Sequence, residues 1–178
     1  DYGHNAHAVG VMVDLAQRLD VAGRRIIVLA GPGDRRDEDL RAIADVSAGK
    51  FDHYVCRRDD ALRGRDGDEV PRILAKALMA KGVPEAAISI IPDEQEAVDA
   101  ALRMGRTGDL LLIFGDALTR SWKQVIKFQP EGAAPKRVNL APAPVIETAP
   151  EADEVSLAKM EGLIRDDRGV HFAREGDD

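Results

Sequence analysis

Arg24-Arg25-Ile26-Ile27-Val28-Leu29-Ala30-Gly31-Pro32-Gly33-Asp34-Arg35-Arg36-Asp37 is the stretch that decides the fold of this chain. Residues 24–30 end in a short apolar run rich in β-branched side chains, the pattern of a strand buried on both faces. A Gly-Pro-Gly turn follows. Beyond it, residues 37–48 carry Leu40, Ile43 and Ala44 at helical spacing, and Gly49 stands where a helix commonly stops. A buried strand that passes through a glycine turn into a helix opens a strand–helix–strand unit.

The alternation continues on both sides of this stretch. Asn5 is placed to cap a helix reaching about Leu19, with Val9, Met12, Val13, Ala16 and Leu19 on one face. Residues 51–56 read as the next strand, and Asp68 starts a helix that tolerates Pro71 in its first turn. That helix has Ile73, Leu74, Ala77 and Leu78 inward and ends at Gly82. Residues 87–91 are a strand, and Asp93 with Glu96 resembles a capping box before a helix bearing Ala97, Ala100, Ala101 and Met104. Residues 109–114 are the last strong strand, and a helix over 119–128 carries Trp122, Val125 and Ile126 on one side, where Trp122 reads as a packing residue. Strands alternating with helices predict an α/β fold, a Rossmann-like open and mostly parallel sheet with helices on both faces. Right-handed crossovers then bring every strand-to-helix turn to one edge, where such sheets bind ligands.

The turn Asp1-Tyr2-Gly3-His4-Asn5 has no strand before it, so the first strand is expected to be truncated and the chain to be a piece cut from a longer one. Residues 1–130 are expected to form the α/β domain. Residues 131–150, rich in Ala and Pro, read as a linker, and 151–178 as a tail with a small hairpin around Asp166-Asp167-Arg168-Gly169 and a disordered end.

The chain has 178 residues, 44% of them apolar and 4% aromatic, so aliphatic side chains must fill the core. A formal net charge of −7 disfavours a nucleic-acid or anionic-membrane surface and leaves a cationic small substrate open. The single cysteine, Cys56, excludes an internal disulfide and a cysteine-based zinc cluster, and fits a reducing compartment. Without a signal peptide or a long apolar run, a cytoplasmic protein is expected.

Three turns carry candidate chemistry. Asp1, Tyr2, His4 and Asn5 put a carboxylate, an aromatic ring, an imidazole and an amide at the sheet's mouth. The carboxylate suits the ribose hydroxyls of a nucleotide, and Tyr2 or His4 an adenine or a phosphate; the plainer alternative is helix capping. The Gly31–Gly33 turn is not a P-loop, because the chain contains no Gly-Lys-Ser/Thr ending, and it does not complete the dinucleotide fingerprint GxGxxG. Arg35 and Arg36 still sit at a helix N-terminus, where an anion is favoured; otherwise they belong to a solvated charge run. The loop Arg57-Arg58-Asp59-Asp60-Ala61-Leu62-Arg63-Gly64-Arg65 has arginines for a carboxylate and adjacent aspartates for a guanidinium, unless it is a self-paired surface loop. His4, His7, His53 and His171 are scattered with no metal-ligand spacing, and no Ser-His-Asp arrangement is legible.

These residues also carry a resemblance. Asp1 to Asn5 resembles the turn that opens the C-terminal domain of the Mur ligases and folylpolyglutamate synthetases, usually Asp-Tyr-Ala-His-x-Pro or Asp-Gly-Ala-His-Asn-Pro. Within that superfamily the chain looks like the cyanophycin synthetases. The stretches that match are Asp1 to Asn5, Gly31 to Asp39, Asp59 to Arg65, and Ser121 to Val125, in the same order over roughly residues 1–130. Gly162 to Asp166 and Gly169-Val170 resemble the end of those enzymes. Ala6 departs from the family's Pro, at a position where Ala is also tolerated.

The resemblance implies an ATP-dependent, ADP-forming ligase. A carboxylate becomes an acyl phosphate and an incoming amine attacks it. The P-loop and Mg²⁺ would lie on a central domain outside this chain, with an ATP-grasp region elsewhere in the same protein and a homo-oligomeric parent. The Mur-like part would add arginine to the β-carboxyl of aspartate in an aspartate-rich polymer. This fragment would supply no catalytic residue and be inactive alone. Asp1 takes the ribose position, with Tyr2, His4 and Asn5 beside the nucleotide and Arg35 near the phosphates. Arg63 takes the place of an arginine that holds the incoming carboxylate, with Arg65 beside it. Asp59, Asp60 or Asp116 would face the guanidinium. Two rivals stand: another Mur-type ligase, for peptidoglycan or polyglutamate, and a degenerate non-catalytic α/β module.

Overall fold

In the computed structural model the described residues are 3–130, with the backbone of 163–166 and 169–172. Asp1 and Tyr2, the expected linker and most of the expected tail lie outside them.

Helix α1 spans Ala6–Arg18, and Asn5 caps it as expected, its side-chain oxygen accepting from the Ala8 backbone N–H at 2.9 Å. Strand β1 is Arg25–Leu29, α2 is Asp37–Ser47, β2 is His53–Cys56 and α3 is Glu69–Ala80. A short 3₁₀ turn, Glu85–Ala87, leads into β3, Ile88–Ile90. Helix α4, Glu94–Met104, starts from the Asp93 side chain, which accepts from the Glu96 N–H at 3.0 Å. Strand β4 is Leu110–Ile113 and helix α5 is Leu118–Lys127. Separately, β5 (Leu163–Asp166) and β6 (Gly169–Phe172) pair antiparallel, Leu163 opposite Phe172 and Asp166 opposite Gly169.

The first four strands form a parallel sheet in the order β3-β2-β1-β4. Alternation along β1 and β2 divides the interior in two. Ile27, Leu29, Tyr54 and Cys56 point to one face, packed on Val9 and Val13 of α1, Leu40 and Ile43 of α2, and Leu74 and Leu78 of α3. Ile26, Val28 and Val55 point to the other, against Ala97 and Ala101 of α4. Helix α5 lies beside α4, where the Gln124 amide donates to the Gln95 carbonyl at 2.7 Å. Helices therefore cover both faces, as the alternation requires.

β1 and β4 are neighbours, yet the chain leaves β1 for α2 on one face and β4 for α5 on the other. That divergence opens a crevice at their carboxyl ends, the switch point where open α/β sheets hold ligands. The opposite end is tied shut: the Asp109 carboxylate accepts from the Arg24 backbone N–H and from its guanidinium, both at 2.8 Å.

One side chain departs from expectation. Trp122 is 64% exposed, and Ser121 is the only residue of α5 that is buried. The apolar stripe of α5 is turned toward a groove along the edge strand β4, lined by Leu111, Ile113, Leu118, Trp122 and Val125, rather than over the middle of the sheet.

Candidate functional site

Arg57 follows β2 directly, at the carboxyl edge. Its backbone N–H donates to the Leu29 carbonyl at 2.9 Å, which carries the β1–β2 pairing one step further. The guanidinium is wholly buried and lies under the switch point. It donates to the Phe114 carbonyl at 2.9 and 3.2 Å, to the Arg58 carbonyl at 2.7 Å, and to both oxygens of Asp116 at 3.1 and 3.2 Å. Glu94, at the start of α4 and 1% exposed, stands 3.1 Å from the same guanidinium. Three carboxyl-edge elements thus meet on one buried cation.

Glu94 is saturated. It accepts from the Asp116 N–H at 2.6 Å, the Ser121 hydroxyl at 2.8 Å and Arg120 at 2.8 Å. Burial alone would raise its pKa, but those donors and the charge of Arg57 outweigh burial and hold it below the ordinary value. Arg120 also donates to Asp60 at 2.6 Å. Asp60 in turn gives its backbone N–H to Asp116 at 2.9 Å.

The two carboxyls at the centre are driven apart. Asp116 resists burial through Arg57 and its other donors and falls to about 2. Asp59 is pushed up to about 6 by burial, then by its hydrogen bond to Asp116 and that neighbour's charge. Like charges that share a hydrogen bond do not ionise together easily, so as pH falls Asp59 takes up a proton before Asp116 does.

The structure brings together most of the expected amino-acid-binding residues. Arg63 adopts a left-handed φ of 50° and reaches back to Asp34 at 3.0 Å and Asp59 at 3.4 Å. Asp59, Asp60 and Asp116 lie in the Arg57 network described above. Arg65 is a tether: it donates to the Gly33 carbonyl at 2.8 Å and the Arg35 carbonyl at 2.7 Å, and pairs with Asp37 at 2.9 Å and Glu69 at 2.5 Å. The loop after β2 is therefore laced to the Gly31–Gly33 turn after β1.

A second groove, of about 520 Å³, gathers His4, Asn5 and Arg35 from the two turns expected at a nucleotide, together with His7 and Arg36. Arg36 is occupied by Glu38 and Asp39, the latter at 3.1 Å. Arg35 has no carboxylate within ion-pair distance among the described residues, and a cation at the entry to α2 suits a phosphate. Asp1 and Tyr2 fall outside the described residues. These groups fit a nucleotide's polar end. A divalent metal fits the carboxyl edge poorly: Asp60, Glu94 and Asp116 bring oxygens within 4.8 Å of one another, but Arg57 and Arg120 already occupy them.

Arg57, Glu94, Arg120 and Ser121 were not assigned roles from sequence. Glu94 looks like one more acid in a helix's first turn. The available signal is positional, because helix starts after β3 and β4 share the carboxyl edge with the loop after β2.

A parallel sheet with charged turns gathered at its carboxyl edge defines an α/β domain of the Rossmann-like kind. Residues 1–117 match the family model described as Mur ligase, glutamate ligase domain, and the chain belongs to that family. It is 37% identical over 131 residues to a cyanophycin synthetase of Geminocystis herdmanii, covering 72% of this chain and 14% of that one. A cyanophycin synthetase of Trichormus variabilis is also 37% identical, over 132 residues, 70% of this chain and 14% of its own length. The diaminopimelate ligase of Rhizobium meliloti that acts on UDP-N-acetylmuramoyl-L-alanyl-D-glutamate is 32% identical over 117 residues, 65% of this chain and 22% of that one. The fold matches a Mycobacterium tuberculosis folylpolyglutamate synthase complexed with ADP and AMPPCP, at a TM-score of 0.51 and 17% identity, over 74% of this chain and 30% of that one. The chain therefore spans about one seventh of the cyanophycin synthetases it matches.

Proposed function

We propose that this chain is the C-terminal amino-acid and nucleotide domain of an ADP-forming amide ligase that joins arginine to the β-carboxyl of aspartate in an aspartate-rich polymer. The observation that carries the reading is the loop Asp59 to Arg65, built at the carboxyl edge in a chain related to the cyanophycin synthetases. Arg63 is the group for the incoming carboxylate. Asp59, Asp60 or Asp116 faces the guanidinium; Asp60 is the exposed one of the three and would exchange its Arg120 partner for the substrate. His4, Asn5 and Arg35, with Asp1 and Tyr2, contact the nucleotide. ATP supplies the phosphoryl group that activates the carboxylate, and Mg²⁺ and the P-loop belong to an upstream domain. What these residues contribute is position and charge rather than a nucleophile.

The test uses the full-length ligase with ATP, an aspartate-rich primer and a panel of single amino acids. Arginine-dependent ADP release is expected. Arg63→Ala should raise the KM for arginine about 10- to 100-fold, the loss of a charged hydrogen-bonded pair. Turnover with another amino acid would discard the substrate and keep the fold. No turnover with any amino acid would favour a non-catalytic module.

A further inference from the structure

Helix α5 carries a second charged surface, which shares only Asp116 and Arg120 with the Arg57 network. Thr119, Lys123 and Lys127 recur at every fourth position, and Arg120 and Gln124 lie beside them. With Gln95, Asp116, Ala117 and Leu118 they line an open groove of about 750 Å³ at the mouth of the crevice. Lys123 and Lys127 are exposed, and neither has a carboxylate within ion-pair distance among the described residues. Asp116, the one carboxylate in the lining, is already paired with Arg57. In a chain of net charge −7, an uncompensated cationic groove marks a place for a negative partner.

The spacing favours one kind. Lys123 and Lys127 are separated by about 6 Å along the helix axis. Alternate side chains of an extended peptide repeat at about 6.6 Å on one face. A run of carboxylates in extended conformation can therefore place successive same-face groups on successive lysines. The opposite wall offers the Gln95 backbone, fixed by Gln124 at 2.7 Å. Leu118 and Ala117 supply apolar contact suited to peptide methylenes.

We propose that the Lys123–Lys127 face of α5 is a docking track for an extended acidic polypeptide, feeding its reactive end toward the Arg57–Asp116 edge. The identification of that polypeptide with the substrate polymer rests on the function proposed above; the track itself does not.

The experiment measures both. A fluorescein-labelled deca-aspartate peptide is titrated into the full-length protein, with and without Lys123→Glu/Lys127→Glu. Reversal of two exposed ion-pairing cations should weaken binding about 10-fold, and added salt should weaken the unaltered protein and spare the variant. In turnover, the same variant should raise the KM for the aspartate primer and leave the KM for ATP and for arginine unchanged. The milder Lys123→Gln/Lys127→Gln pair, with circular dichroism, guards against misfolding and should give an intermediate loss. Equal peptide binding by the variants overturns the track. A rise in the KM for ATP instead of the primer assigns the groove to phosphate and overturns it too, as does equal competition by a single-stranded oligonucleotide. Peptide binding lost in the variant, with no arginine-dependent turnover in the unaltered protein, keeps the track and rejects the ligase reading.

Discussion

Arg57 and Asp59 stand two residues apart and respond in opposite ways to change. Arg57 neutralises the buried Glu94 and the part-exposed Asp116. Arg57→Met roughly keeps the volume but removes the buried counter-charge that both carboxylates share, so the domain should lose about 3–5 kcal/mol in urea unfolding. Asp59 is a liability at neutral pH. Its folded pKa of about 6 lies above the ordinary 3.8, so the fold prefers it protonated. The penalty begins as pH rises through the unfolded value and is complete above the folded one. Asp59→Asn should therefore raise Tm clearly at about pH 8 and little at about pH 4, read by paired thermal scans. An equal gain at both pH values would remove the titration argument. Asp116 has the opposite sign: its contribution is present above 3.8 and is lost as pH falls toward about 2. None of this is legible in the string Arg57-Arg58-Asp59-Asp60. Burial and partners across the sheet set Asp59 against Asp116, far away in sequence, and no local pattern shows it.

The elements themselves were far more legible. Asn5 and Asp93 cap the helices they were expected to cap, because capping is local chemistry between a side chain and an N–H three residues on. Asn5→Ala should lower stability by about 1 kcal/mol, measured by denaturant midpoint. The orientation of α5 was less legible, since its stripe of Trp122, Val125 and Ile126 fits the edge strand as well as the centre of the sheet by periodicity alone. The tie between two loops was also hidden. At Gly33 an added Cβ would lie 2.2 Å from the Leu62 carbonyl oxygen and 3.0 Å from its carbon, both backbone atoms that cannot rotate aside. Gly33→Ala must push the loop after β2 off the turn after β1. On the function proposed here, the KM for arginine should rise severalfold while the KM for ATP changes less. Gly67→Ala, with open space around it, is the control expected to leave both unchanged.

At the scale of the whole molecule, the four-stranded order β3-β2-β1-β4 places the charged turns of this short chain side by side. The turns after β1, β2 and β4 converge on one edge. That convergence followed from strand–helix alternation, so the edge was legible before any side chain was placed. Its division of labour was not, because it depends on which carboxylates Arg57 and Arg120 already hold. Those pairings also set the limit of what this chain can do. Asp60, Glu94 and Asp116 form the set of carboxylates close enough to share a metal among the described residues, and guanidiniums occupy them. The sequence has no Gly-Lys-Ser/Thr turn to hold phosphates for transfer. The isolated 178-residue chain should accordingly release no ADP above background with ATP, Mg²⁺, arginine and an aspartate primer. The full-length protein should release it under the same conditions. Binding and chemistry would then separate cleanly: the isolated chain should still bind ATP weakly through the His4–Arg35 groove, seen by calorimetry and reduced in Arg35→Ala. ADP release by the isolated chain would move the phosphoryl chemistry onto this domain and overturn the assignment to an upstream one.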